Sequence, residues 1–227
     1  MTIENLVKAV PPPARPFEAF KGPWEVIEAD LCTPLPQDYK DFSRLYGYGR
    51  FMQFLGIHIP NTQNPNTRLE WQAQVVRDGF LTLTEEYCPY PMWPDPGGLL
   101  PFGGTDEGDE FFWLMCGPPD DWRVVVWDRG MGEFEVLDCD LTDFLAGLAT
   151  GEILPKEFPD DLLPCARLFQ PSPTLGDAPT KPSGGVTLSW RMTPPDWGIP
   201  SATDQGIGVA FDGVVIAGRI AASKPPK

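Results

Sequence analysis

Apolar side chains recur along this chain at helical spacing in some segments and in short strand-like runs in others, and the two patterns predict different elements. Tyr39, Phe42 and Tyr46 fall on one face at helical spacing. Pro36 suits the first turn of such a helix, and Gly47 can adopt the left-handed backbone that ends one. The pattern predicts a helix whose aromatic face packs against the core.

Three further segments are predicted to be helical. A short helix spans residues 3–10, and a second spans residues 68–77 and stops at Gly79. The spacing places three side chains of the second helix inward: Leu69, Val75 and Val76. A last helix begins after Asp140, whose side chain can cap it, and ends at Gly151. Its apolar stripe consists of Leu141, Phe144, Leu145 and Leu148.

The remaining apolar runs predict strands. Residues 50–59 are apolar at nearly every position and end at Pro60, which predicts one central strand buried on both faces. Beyond residue 98, short apolar runs are separated by turns rich in Gly, Pro and Asp. These runs predict an antiparallel meander of four strands, at residues 99–102, 110–116, 122–127 and 133–138.

Together these elements predict an α+β fold: a mixed, largely antiparallel β-sheet flanked by helices, with a C-terminal extension. The domain is expected to cover residues 1–170, because residues 171–185 have the Pro, Gly and Ser content of a linker. Two interpretations of residues 186–227 remain, a small β appendage and a mobile tail.

The charge is strongly acidic and unevenly placed. The net charge is −15, and residues 102–161 hold sixteen Asp and Glu against three Lys and Arg. This balance disfavours nucleic acid and anionic membranes as partners, and it favours a basic protein. The five cysteines are scattered and odd in number, which is typical of reduced thiols, so a cytoplasmic location is expected.

The acidic turn at residues 105–110 allows three interpretations. It is a turn between strands, a partner-contact loop or a calcium loop, although the alternating ligands of an EF-hand are missing. A carboxylate hydrolase is a further alternative, with Asp128, Glu133 and Glu135 as the candidate acids. No nucleophile motif is evident, and the single histidine, His58, is interpreted as a packed core residue. No cofactor is predicted.

Tryptophans lie beside the acidic turns. Trp113, Trp122 and Trp127 are typical of buried strand residues, but Trp122 follows two aspartates at a strand start and is expected to be the most exposed. An exposed aromatic ringed by carboxylates suits protein binding. The predicted partner-binding residues are Asp106, Glu107, Asp109, Glu110, Asp120, Asp121, Trp122, Asp128 and Glu133.

The order of these motifs resembles the SUKH superfamily (Smi/Knr-like proteins). Three segments carry the resemblance, LPQDYKDFSRLYGYGRF at residues 35–51, LLPFGGTDEGDEFFWLMCG at 99–117 and WRVVVWDRGMGEFEVLDCDLTDFLAGLATGEI at 122–153. The similarity covers roughly residues 30–155. It implies a mixed sheet flanked by helices and no catalytic apparatus.

The resemblance also implies a function. Bacterial members of the superfamily neutralise a cognate toxin, often a nuclease, by binding it directly, so an immunity protein that contacts a basic toxin through its acidic surface is expected. The fungal members imply an alternative, a regulatory scaffold with several weaker partners. Self-association is left open.

Overall fold

The computed structural model describes residues 3–83, 87–156, 158 and 168–172. These residues form five helices: α1 Glu4–Ala9, α2 Trp24–Asp30, α3 Gln37–Leu45, α4 Leu69–Phe80 and α5 Leu141–Thr150. They also form seven strands: β1 Gly49–Phe51, β2 Leu55–Ile57, β3 Leu99–Thr105, β4 Glu110–Leu114, β5 Arg123–Trp127, β6 Phe134–Leu137 and β7 Phe169–Pro171. No helix in these ranges combines the length and hydrophobicity that crossing a bilayer requires.

The seven strands form one sheet in the order β6-β5-β4-β3-β2-β1-β7, and each neighbouring pair is antiparallel. Residues alternate between the two faces of a strand, so Phe111 and Phe112 of β4 enter two different apolar clusters. The larger cluster packs α3 and α5 against one face, and the smaller packs the C-terminal half of α4, through Val76 and Phe80, against the other. The predicted α+β fold with an antiparallel meander is confirmed.

Residues 50–59 form a hairpin, so the prediction of one long strand is wrong. Met52 and Gln53 have φ values of 56° and 57°, and the N–H of Phe54 donates to the carbonyl of Phe51 at 2.9 Å. Two successive residues with positive φ are the geometry of a tight hairpin turn. Because Met52 and Phe54 are buried like the strands beside them, Gln53 is the single polar residue of the turn, and residues 52–54 include no Gly, Pro, Asn or Asp to mark it.

The α4 helix continues past the predicted end at Gly79 as far as Phe80. Its buried positions include Leu69, Ala73, Val76 and Phe80, which follow the helical period. Val75 lies next to this stripe but faces outward and is 48% exposed, so its predicted inward position is wrong.

The α3 and α5 predictions are confirmed. Tyr39, Phe42 and Tyr46 are fully buried. The side chain of Asp140 accepts a hydrogen bond from the N–H of Asp143 at 2.7 Å, and Gly151 ends α5 with a φ of 79°.

Strand β7, which the sequence patterns did not predict, pairs with β1 at one edge of the sheet. Phe169 brings its ring to 4.8 Å from that of Phe51. The predicted linker beyond residue 172 and the predicted appendage at 186–227 lie outside the described residues.

Candidate functional site

Three hairpin turns lie side by side at one end of the sheet. Leu55 at the start of β2 pairs with Thr105 at the end of β3, and Glu110 at the start of β4 pairs with Trp127 at the end of β5. This register places residues 52–54, 105–109 and 128–133 next to one another. We call these three turns, together with Glu110, the hairpin end.

Backbone and side-chain hydrogen bonds join the three turns. The N–H of Asp106 donates to the carbonyl of Phe54 at 2.9 Å. The N–H of Arg129 donates to Oδ1 of Asp109 at 3.1 Å, and the Arg129 guanidinium reaches the carbonyl of Glu107 at 3.5 Å. The hairpin end is therefore a connected surface.

Six of the nine predicted partner-binding residues lie at the hairpin end: Asp106, Glu107, Asp109, Glu110, Asp128 and Glu133. Two of them build the turns. Asp109 accepts from Oγ1 of Thr105 at 2.7 Å, and Asp128 accepts from the N–H groups of the residues that follow it. Asp106, Glu107 and Glu133 are exposed. Asp106 forms an ion pair with Arg50, so Glu107 and Glu133 present the most accessible charge.

The other three predicted residues lie elsewhere. Asp120, Asp121 and Trp122 belong to the connection between β4 and β5, which is at the opposite end of these strands. The ends of a five-residue strand are about 14 Å apart, so the two acidic groups are separated by roughly the length of β4. Oδ1 of Asp120 accepts from the N–H of Gln37 at 2.7 Å and thereby binds the first turn of α3. The prediction of one acidic surface is corrected to two separate groups.

Trp122 is buried, with only 5% of its surface exposed, so the expectation of an exposed aromatic anchor is wrong. Its indole N–H donates to the carbonyl of Gly117 at 3.1 Å, and its ring lies 6.4 Å from that of Trp113. The apolar side chain exposed at the hairpin end is instead Met131, which is 68% exposed at the tip of the β5–β6 turn. The sequence pattern does not single out Met131, because a lone Met in a turn carries no periodic signal.

A polar pocket of about 170 Å³ opens beside the hairpin end. Its chemistry comes from side chains of Tyr48, Arg50, His58, Asn66, Gln72 and Glu110. Gly56 and Gly104 also line it and pair across β2 and β3. Because neither has a side chain, this face of the sheet is uncovered here and leaves room for the pocket.

Two titratable groups in the pocket have strongly shifted pKa values. Burial, with the neighbouring charge of Asp109, raises the pKa of Glu110 to about 8. Burial lowers the pKa of His58 to about 4, so its imidazole is neutral at pH 7. His58 is half-buried at the wall of the pocket, so its side chain is packed as predicted but also borders the pocket.

No three His, Cys, Asp or Glu side chains among the described residues come together as a metal site. In the turn that was also interpreted as a calcium loop, Asp106 pairs with Arg50 and Asp109 binds Thr105. Two of the four carboxylates of this turn are therefore engaged in contacts within the protein.

The chain matches the family model SUKH_6, described as SMI1-KNR4 cell-wall, over residues 22–145, which is more than half of its length. The chain belongs to the SUKH superfamily. Comparison of this SUKH protein with curated proteins and with solved structures gave no match. The matched residues run from just before α2 into α5, so the hairpin end and the residues that line the polar pocket lie within the SUKH domain.

Proposed function

We propose that this SUKH protein is an immunity protein that binds a cognate basic toxin, such as a nuclease, through the hairpin end. Membership of the SUKH superfamily supports a protein-binding role of this kind. The net charge of −15 favours a positively charged partner.

The observation that carries the proposal is the position of Met131 among carboxylates. Met131 projects from the β5–β6 turn between Asp128 and Glu133, and Glu107 is exposed on the adjacent turn. Protein interfaces combine a flexible or aromatic apolar anchor with a charged rim that guides association. The hairpin end has this composition.

The proposed mechanism follows from the chemistry of a nuclease. An enzyme that cleaves nucleic acid binds phosphates with Lys and Arg, so its active site has a positive potential. The carboxylates of the hairpin end complement that potential, and Met131 contributes buried apolar area when the surfaces meet. The bound immunity protein then excludes nucleic acid from the active site.

The experiment compares two charge reversals that change the net charge by the same amount. Glu107→Lys alters the hairpin end, and Asp121→Lys alters an exposed carboxylate at the other end of β4. Association rates are measured by surface plasmon resonance with the toxin encoded beside this protein, purified as an inactive variant. Glu107→Lys is expected to lower the rate constant about tenfold at low salt, and Asp121→Lys to change it less than about twofold. Equal effects, or no complex with the wild-type protein, would refute the proposal.

A regulatory scaffold of the Smi/Knr type is the second candidate, and one observation favours it. Trp71 and Val75 lie one turn apart on the outward side of α4 and are 51% and 48% exposed. Such a pair suits a helical or extended partner. In a scaffold, Trp71→Ser abolishes binding of the partners and Glu107→Lys leaves it unchanged. The immunity proposal predicts instead that Glu107→Lys weakens binding of the partner and that Trp71→Ser leaves it unchanged.

A further inference from the structure

We propose that the polar pocket binds one arginine side chain of the protein partner, with Glu110 as the residue that pairs with its guanidinium. This inference rests on the proposed function, because it specifies the chemistry of the partner at the edge of the hairpin end. Three features of the pocket support this inference. They are its size, the carboxyl group of Glu110, and the pair Gly56 and Gly104, which line the pocket where β2 meets β3 and which we call the glycine floor.

The pocket is small. Pockets for drug-sized molecules and cofactors have volumes of about 300–1,000 Å³, whereas this one has about 170 Å³. That volume holds a few waters or a single long side chain. A side chain inserted from a partner protein therefore fits the pocket better than a nucleotide does.

Glu110 provides the acceptor, because a guanidinium that enters the pocket lowers the pKa of this carboxyl group and favours the ionised form with which it pairs. Among the described residues, no donor forms a hydrogen bond or an ion pair with its carboxyl group. A half-buried carboxyl group that has lost part of its hydration and has gained no partner is favoured to pair with a donor that enters the pocket. Arg50, the cation in the pocket wall, is already committed, because its guanidinium pairs with Asp106 and donates to the carbonyl of Phe54 at 3.0 Å.

The other lining groups suit a planar donor. The amide nitrogen of Gln72 donates to the carbonyl of Pro65 at 3.3 Å, which leaves its amide oxygen free to accept. The neutral imidazole of His58 offers one nitrogen acceptor. A guanidinium has five N–H donors and binds a carboxylate through two of them, so it matches several acceptors better than the compact ammonium of lysine does.

A substitution in the glycine floor can narrow the pocket without distorting the sheet. A Cβ atom built on Gly56 lies 3.5 Å from a guanidinium nitrogen of Arg50 and 3.9 Å from the ring of Tyr48, which are ordinary contacts. Gly56→Ala therefore adds a methyl group beside two lining residues, whereas a Cβ atom on Gly104 would lie 2.5 Å from the carbonyl of Asp109. Gly56→Ala is the variant that tests the shape of the pocket.

The test is an NMR titration of the full-length ¹⁵N-labelled protein with N-acetylarginine amide. N-acetylcitrulline amide is the neutral control of the same shape, and N-acetyllysine amide, with its ε-amine free, tests the ammonium group. We expect saturable shifts of the Gly56, Gly104 and Glu110 amides with the arginine probe. We expect about tenfold weaker binding of lysine and none of citrulline.

Three variants complete the test. Glu110→Gln is expected to weaken arginine binding roughly 10- to 100-fold, and Gly56→Ala to weaken it about tenfold. Glu107→Gln, which removes an exposed charge from the adjacent turn, is the control and is expected to bind as the wild type does. Equal shifts with citrulline, or unchanged binding in Glu110→Gln, would overturn the inference.

The titration contains no toxin, so its outcome is separate from that of the proposed function. A protein that binds toxin through the hairpin end but shows no arginine-dependent shifts keeps its proposed function and loses the pocket inference. If the shifts are specific to arginine but no toxin binds, the proposed function is wrong and the pocket remains an arginine site.

Discussion

Asp38 in the first turn of α3 accepts a hydrogen bond at 3.0 Å from the backbone N–H of Thr142 in α5, which lies 104 residues later in the chain. Its other oxygen accepts from the N–H of Tyr39 at 2.7 Å. Asp38 is only 9% exposed, and burial, together with the charge of Asp140, raises its pKa to about 6. One carboxylate thus joins the N-termini of the two helices that cover the same face of the sheet.

Replacing this carboxylate is expected to destabilise the fold. Asp38→Ala leaves two backbone N–H groups without their acceptors, one of them on the distant helix, and such a loss costs about 1–3 kcal/mol. Asp41→Ala is the matched control on the same helix, where the side chain makes surface contacts with Gln37 and Arg44 worth less than about 1 kcal/mol. Urea denaturation measures both free energies of unfolding. Equal losses would show that the link between α3 and α5 contributes nothing.

The turn between β1 and β2 offers a stabilising substitution. Gln53 is exposed and has a φ of 57°, a conformation that costs a non-glycine residue about 1 kcal/mol. Gln53→Gly is expected to raise the free energy of unfolding by roughly 0.5–1 kcal/mol. Gln53→Ala keeps the strain and removes only the side chain, so it should leave stability unchanged. Thermal denaturation of both variants measures these changes in stability. A glycine variant less stable than the wild type would contradict the prediction.

The same turn shows which parts of the fold the sequence patterns predict. The α3 and α5 helices have an apolar period of 3.6 and recognisable end residues, and the strands after residue 98 are separated by Gly and Asp turns. Residues 50–59 lack such a marker, because Met52 and Phe54 are buried although they lie in a turn. Burial of Met52 and Phe54 leaves Gln53 as the single polar position of this tight hairpin turn, which is too weak a signal for turn prediction.

The candidate site was predicted in part for a similar reason. The acidic residues of the hairpin end were identified by composition, but composition does not contain the strand register that separates them from Asp120 and Asp121. Trp122 stands beside aspartates in the sequence and yet is buried, because its ring packs in the core near Trp113 and its N–H has an acceptor in the carbonyl of Gly117. The polar pocket brings together residues from distant segments, such as Arg50 and Glu110, and only the folded sheet shows it.

Asp120 and Asp121 are adjacent, but they are expected to differ in structural importance. Oδ1 of Asp120 accepts from the N–H of Gln37 at the start of α3, where the first N–H groups of a helix have no partner within the helix. Asp120→Ala is expected to cost about 1 kcal/mol, and Asp121→Ala less than about 0.5 kcal/mol. Chemical denaturation at pH 7 distinguishes the two. A reversed order would show that Gln37 finds another acceptor in the variant.

Glu110 makes stability depend on pH in a direction opposite to that of an ordinary surface carboxylate. Burial raises its pKa from 4.5 to about 8, and the charge of Asp109 adds to the effect, so the folded state holds the proton more tightly than the unfolded state does. The stability that this group contributes is complete below pH 4.5 and is lost as the pH rises through 8. His58 and Asp38 also titrate abnormally, with pKa values near 4 and 6.

Glu110→Gln isolates this contribution, because it keeps a neutral side chain of the same shape. The other pocket groups, Arg50, His58 and Asp109, are present in both proteins, so their effects largely cancel in the difference. The difference in free energy of unfolding, variant minus wild type, is expected to increase from pH 4.5 to pH 8 by roughly 2–4 kcal/mol, since one pKa unit corresponds to about 1.4 kcal/mol. Urea denaturation of both proteins at several pH values measures this difference. A difference that stays constant with pH would mean that the Glu110 carboxyl group is hydrated in the folded protein, which would also remove the reason for it to pair with a guanidinium.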